Sequence, residues 1–411
     1  MPVVVEPLVV TDAAPVTTAW QRDRPLRVEA FLGFTSGPRV AVQEGLNGVR
    51  GMAVIPVVAF HLGYSNLLGG AQLVMSLFFT QSGFLIATLI LHEYDRTGAF
   101  RLGPFWAARA RRILPPAWLT IAAVGLVRLL TDSLPNPDRL DLVTAFAHVS
   151  NWYLYFSDAI TDAVVEGRSS VLNHFWSLSV EEQFYVFIAF VSLWLFRTKR
   201  RPLIVLRWIA LVGMTASFLL PFVFDMGEER VFYGTDARAG ELLIGVAMAT
   251  FIVSRPVREG MLRHRWPIVA ASAGALVTAW VLFHYARPRT GMLENGLLPV
   301  GSVLWVLVIV GAMLPDGPVA WLMHGRLLRW LGQYSYGIYA YHFPVLTVAR
   351  FYLDVHPLLL TAIVVAITLA LAMASYRYVE IPIRRQRLRG RPLAVGAAVV
   401  LATIVVTTAL T

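Results

Sequence analysis

The sequence predicts an all-α membrane protein: a polytopic bundle of ten core transmembrane helices plus an eleventh, C-terminal span. Three observations carry this. Hydrophobic residues make up 57% of the 411 positions and charged residues only 15%, with a mean hydropathy of +0.63, whereas soluble domains run near ~25% charged. Apolar stretches near the roughly 20 residues that a spanning helix needs recur along the chain. The basic residues fall in short runs between those stretches, where the positive-inside rule puts them. The net charge of +10 therefore implies no nucleic-acid partner. An ordinary cytosolic enzyme and a disordered chain are excluded, because water could not solvate so many apolar side chains. Cysteine is absent, which excludes disulfides, thiolate metal sites and an acyl-cysteine intermediate.

Residues 1–45 carry Pro, Thr and charges, with no basic start followed by an apolar core. They read as a mobile cytoplasmic tail and not as a signal peptide. Residues 51–91 contain no Asp, Glu, Lys or Arg, and a soft break at 63–70 divides them into two helices. Further spans fall at 113–130, 182–196, 203–224, 236–253, 267–285, 297–314, 334–352, 357–376 and 393–410. The last follows a basic linker that begins at 386. Residues 140–156 are apolar but amphipathic and short.

Arginine-rich connectors set the orientation. They include Arg22, Arg24, Arg27 and Arg39, then Arg96 to Arg112, Arg197 to Arg207, Arg255 to Arg265, Arg326 with Arg329, and Arg384 to Arg391. All should be cytoplasmic. With Arg112 and Arg197 on one side, an even number of crossings separates them. Residues 140–156 should then lie on the outer face, or dip into it, without crossing. The expected location is the inner (plasma) membrane, N-terminus inside and C-terminus outside.

An ionisable group inside a bilayer is costly, so each is a functional candidate. Arg50 and His61 are eleven residues apart on the first span. At ~100° per residue their side chains come within about 20° of one face, roughly 16 Å apart along the axis. A neutral imidazole suits general-base work near physiological pH. The plain alternative is a snorkelling arginine and a histidine bonded to a neighbouring carbonyl. Arg109 and Arg112, at i and i+3, share a helix face, and paired guanidiniums suit phosphate. Topogenic charge and anionic-lipid binding explain them as well.

The segment from Asn173 to Tyr185 leads into a span from the outer face. His174, Glu181 and Glu182 there suit holding or activating a polar acceptor. Alternatively it is an interfacial anchor, with Trp176 and Tyr185 in the aromatic belt. Asp236, Arg238 and Glu241 cluster at the head of another span, and Arg238 should pair with Glu241. Helix packing explains most of the hydroxyl-rich stretch from Gln333 to His342, leaving His342 as a second, weaker base. No HExxH or GxSxG occurs, so neither a zinc protease nor a nucleophile-elbow hydrolase has support.

Taken in order, these motifs resemble the acyltransferase 3 family of integral membrane O-acyltransferases. The resemblance runs from Leu46 to Arg385 through LNGVRGMAVIPVVAFH, SLFFTQSGFLI, FWAARARRILPP, HFWSLSVEEQFY, YGTDARAGELLIG, YSYGIYAYHFP and YVEIPIRR. It implies that the essential arginine–histidine pair is Arg50 and His61, and that the RxxR pair is Arg109 and Arg112. It also implies an acyl-CoA co-substrate, most often acetyl-CoA, with no permanently bound cofactor and no metal. Donor phosphates would lie near Arg50, Arg109 and Arg112. His61 would take the acceptor proton, with Glu182 as a further catalytic candidate, and Ser82 or Tyr339 could steady the oxyanion. The acceptor, a cell-envelope glycan, a glycolipid or a macrolide-type metabolite, would enter past His174, Glu181 and Tyr185. Many members carry a fused extracytoplasmic hydrolase-like domain. None is expected here, so a second transfer step would fall to a separate transferase or export protein. Membrane lipids are the other expected partners.

Three other classes compete. A glycolipid transporter or flippase would also bury charges, but no repeat halves appear. A polyprenyl-dependent glycosyltransferase would need acidic residues in the first outer turn, which has none. A non-catalytic scaffold would leave His61 dispensable.

Overall fold

A computed structural model of the chain describes residues 42–64, 70–130, 139–157, 170–285, 291–385 and 391–410. Among these, all regular structure is helical. In chain order the elements are α1 (Val42–His61), α2 (Ala71–Thr97), α3 (Leu102–Leu130), α4 (Arg139–Phe146), α5 (Ser150–Phe156), α6 (Phe175–Thr198), α7 (Pro202–Val223), α8 (Glu228–Tyr233), α9 (Thr235–Ile252), α10 (Arg255–Arg263), α11 (Arg265–Tyr285), α12 (Leu298–Met313), α13 (Pro318–Met323), α14 (Arg326–Tyr352), α15 (Pro357–Ser375), α16 (Ile381–Arg384) and α17 (Arg391–Leu410). Wider π-type turns, Leu293–Leu297 and Tyr376–Glu380, lead into α12 and α16.

Each expected span falls on a helix, but the expected count of ten plus one is not reproduced. Among the described residues, seven helices are long and apolar enough to cross a membrane. They become eight if α9 and α10, bent by 90°, form one span. The shortfall has a chemical reason. α1 carries Glu44, Asn47, Arg50 and His61, and α14 carries three arginines, Gln333, His342 and five tyrosines. Both are polar because they hold buried side chains, not because they face water.

Residues 1–41 of the expected tail lie outside the described residues, and 42–45 already belong to α1. α4 and α5, of eight and seven residues, extend only about 12 and 10 Å, too little to cross. Two helices begin earlier than hydropathy suggests. α3 starts at Leu102, not 113, and α6 at Phe175, not 182. The serines of α6 do not break it, because Ser177 and Ser179 donate back to the carbonyls of His174 and Phe175. Arg109, Arg112, Glu181 and Glu182 therefore lie inside long helices and not at their ends.

Two helix pairs form the frame. α1 packs on α14 so closely that a Cβ added at Gly51 would sit 1.9 Å from the Leu328 carbonyl oxygen, and one at Gly332 would sit 1.8 Å from that of Asn47. α2 and α9 meet in the same way at Gly83 and Gly245. Small residues let helix backbones touch inside a bilayer, where apolar burial alone gives little drive. The outer surface is apolar: Trp208, Val212, Leu219, Phe222 and Val223 of α7 are all more than 45% exposed, as a lipid-facing helix requires.

Candidate active site

The bundle encloses two polar clusters, both touching α1 and separated along it. The first gathers arginines. The Arg109 guanidinium of α3 lies over the Tyr185 ring of α6, 3.6 Å from its centroid, a stacking that stabilises a desolvated cation. The Tyr185 hydroxyl donates to Glu181 Oε2 at 3.1 Å and is also hydrogen-bonded to the Ser82 hydroxyl of α2. Arg50 lies in the field of Glu181, Arg384, Tyr185 and Arg109. Arg112 lies in that of Arg50, Arg109, Arg384 and Tyr185. Arg384, on α16, donates from Nη2 to Glu380 Oε2 at 2.6 Å. Glu182 feels Arg109 and Glu181.

Four guanidiniums thus converge with three carboxylates. Arg109 is buried, and its Nε has no hydrogen-bond partner among the described residues; neither has Arg384 Nε. Surplus positive charge with unused, forked donors is the chemistry that takes a phosphate.

The second cluster gathers histidines. His61 closes α1, which ends where Gly63 turns into the left-handed region at φ 101°. Its Nδ1 is 3.0 Å from Nε2 of His342 on α14. His342 Nδ1 donates to the carbonyls of Tyr339 at 2.7 Å and Ile338 at 3.2 Å. His174, just before α6, is buried 5.5 Å from His342, centroid to centroid. Its Nε2 donates to the Ala340 carbonyl at 3.1 Å.

That carbonyl is available for a local reason. Pro344, four residues on, has no N–H to offer it. Tyr339 donates its hydroxyl to the His174 carbonyl at 2.7 Å, and Ser177 Oγ lies 2.5 Å from that hydroxyl. Phe343 presents an edge contact to the His61 ring at 4.9 Å, and Arg350 donates to the His61 carbonyl at 3.0 Å.

The structure therefore divides the expected site residues. His61 joins His342, His174 and Tyr339. Arg50, Arg109 and Arg112 join Ser82, Glu181, Glu182 and Tyr185. His174 and the two glutamates, neighbours in sequence, belong to different clusters, about 10 Å apart along α6. Ser82 and Tyr339, grouped as oxyanion donors, also separate, and each hydroxyl already has protein partners. Asp236 stands apart from both clusters and receives Arg230 through two hydrogen bonds of 2.8 and 2.6 Å. Arg238 pairs with Glu241 at 3.2 Å, both side chains fully buried. Arg384 and Glu380 are the additions that sequence reasoning missed. The YVEIPIRR segment contains both, at the i, i+4 spacing of a helical ion pair.

The family described as an acyltransferase domain (Acyl_transf_3) matches residues 43–377. The chain belongs to this family. It is 30% identical over 366 residues to the Staphylococcus aureus (strain MSSA476) protein named "Putative O-acetyltransferase SAS0844", covering 87% of this chain and 60% of that one. It is 31% identical over 350 residues to the "Peptidoglycan O-acetyltransferase OatA" of Listeria monocytogenes, covering 83% and 55%. The matched region is thus little more than half the length of these curated relatives. No solved structure matches. The family match covers the histidine cluster and all of the arginine cluster except Glu380 and Arg384.

Proposed function

We propose that the chain is a membrane O-acyltransferase that moves an acetyl group from cytoplasmic acetyl-CoA to a hydroxyl of a cell-envelope glycan or glycolipid on the outer side. Peptidoglycan is the first acceptor to test, because that is what the Listeria relative is named for. One observation supports this most. A phosphate-suited arginine cluster and a histidine cluster lie along one helix, α1, about 16 Å apart between Arg50 and His61. That spacing is of the order of an extended pantetheine arm. The donor's phosphates sit among Arg50, Arg109, Arg112 and Arg384, and the thioester reaches His61.

His61 takes the proton of the acceptor hydroxyl as its oxygen bonds to the thioester carbonyl carbon. The C–S bond then breaks. A thiol of pKa near ~8.5 leaves as thiolate with little acid assistance, and His61 returns the proton to it or to water. Transfer is direct.

The test is acetyl transfer from radiolabelled acetyl-CoA in membranes containing the full chain. His61→Ala abolishes transfer at unchanged protein level, and Arg50→Ala raises the donor KM. Wild-type turnover by His61→Ala would remove His61 from the chemistry, and an unchanged donor KM in Arg50→Ala would remove Arg50 from donor binding.

A further inference from the structure

The hydrogen-bond chain that ends on His61 has a direction. Carbonyl oxygens only accept, so His342 Nδ1, held 2.7 Å from the Tyr339 oxygen and 3.2 Å from that of Ile338, carries a proton. In a neutral imidazole the other nitrogen is then a bare acceptor. His342 Nε2 accepts, and the atom 3.0 Å from it, His61 Nδ1, donates. His61 therefore carries its single proton on Nδ1 and leaves Nε2 unprotonated.

Two features keep the direction from reversing. Among the described residues no carboxylate pairs with either ring, so an imidazolium has no counter-ion there. The His342 ring is also 1% exposed and fixed between Tyr339, Phe343 and His174, so it cannot swing away from its carbonyls.

We propose that His342 is a positioning residue that holds His61 in the Nδ1–H tautomer and so makes Nε2 the atom that accepts the substrate proton. This rests on His61 being the general base. It also separates His342 from the role of a second base: both of its nitrogens are engaged, and none is left for a hydroxyl. The effect matters because imidazole in water favours the opposite tautomer, with the proton on Nε2. Without His342 only the Val57 carbonyl beside the ring would bias the proton, and part of the protein would hold its base nitrogen blocked. A partner that fixes a histidine's tautomer is a recurring device in metal sites and hydrolases.

The experiment uses the full chain in lipid nanodiscs with ring-15N histidine, the His61 signals being assigned by their loss in His61→Ala. In the wild type, His61 Nδ1 shows the protonated shift and Nε2 the unprotonated one. His342→Gln, whose side-chain oxygen takes the place of Nε2, keeps that pattern and most of the activity. His342→Leu gives mixed tautomers and lowers kcat by roughly the blocked fraction, about 5-fold, with the donor KM nearly unchanged.

A wild-type His61 protonated on Nε2 would overturn the proposal. So would a folded His342→Leu protein with normal kcat. If His342→Leu does not fold, the wild-type spectrum decides alone. Failure of the general-base reading has a different signature: His61→Ala retains transfer, whatever the spectrum shows.

Discussion

Arg384 sits at the edge of the arginine cluster with its side chain 34% exposed and one nitrogen on Glu380, itself only 3% exposed. Its Nε has no partner among the described residues. A side chain with one hand tied and one free is suited to closing around an incoming anion. Arg384→Gln keeps a donor for Glu380 but removes the charge. It should raise the donor KM by about 10-fold and leave kcat within a factor of ~2, since the loss weakens ground and transition state alike. Steady-state transfer rates across a range of acetyl-CoA concentrations check this, and an unchanged KM would confine Arg384 to supporting Glu380. In sequence this residue reads as topogenic charge, because the orphaned nitrogen and the neighbouring guanidiniums exist only after α16 folds back onto α1 and α3.

At the scale of elements, the pairing of α1 with α14 brings the two histidines together. Residues 281 apart in the chain come into hydrogen-bond contact there, across a seam set by glycine. Gly332→Ala places a Cβ 1.8 Å from the Asn47 carbonyl oxygen, and no side-chain rotation relieves a clash with backbone. It should cost about 1–3 kcal/mol and push His342 off His61, lowering both the unfolding temperature and transfer. Gly274→Ala, whose Cβ meets nothing within 4 Å, is the control: it should leave transfer unchanged and, through helix propensity, raise and not lower the unfolding temperature. Thermal unfolding in detergent beside the transfer assay reads both.

Much of this was legible beforehand and some was not, for physical reasons. The eleven-residue spacing of Arg50 and His61 already puts them on one side of a helix. The starts of α3 and α6 are hidden in the sequence because arginines and serines look like boundaries until partner helices supply their contacts. The glutamates of α6 read as one group with His174 because adjacency in sequence hides the roughly 10 Å that two helical turns put between them. His342's contact with His61 depends on long-range packing that no local pattern encodes.

For the whole molecule, the apolar outer face of α7 and the basic connectors together predict a fixed orientation, with Arg197 to Arg201 and α10 inside and α5 outside. The absence of cysteine makes this directly measurable. Phe156→Cys, at a 74% exposed position, should react with a membrane-impermeant maleimide added to intact cells. Arg200→Cys should react only after the cells are opened. The reverse pattern would invert the topology and place the arginine cluster on the side without coenzyme.

The proposed function would pass an acyl group across the bilayer, and hydrogen ions must not follow it. The route beyond Nε2 of His61 runs through His342 and stops at two backbone carbonyls, and the hydrogen bond from His174 stops at a third. None of these oxygens can take up an ion and hand it on. On the proposed mechanism, each proton collected at His61 would leave through the nitrogen by which it entered, so this cul-de-sac would not discharge the transmembrane gradient during turnover.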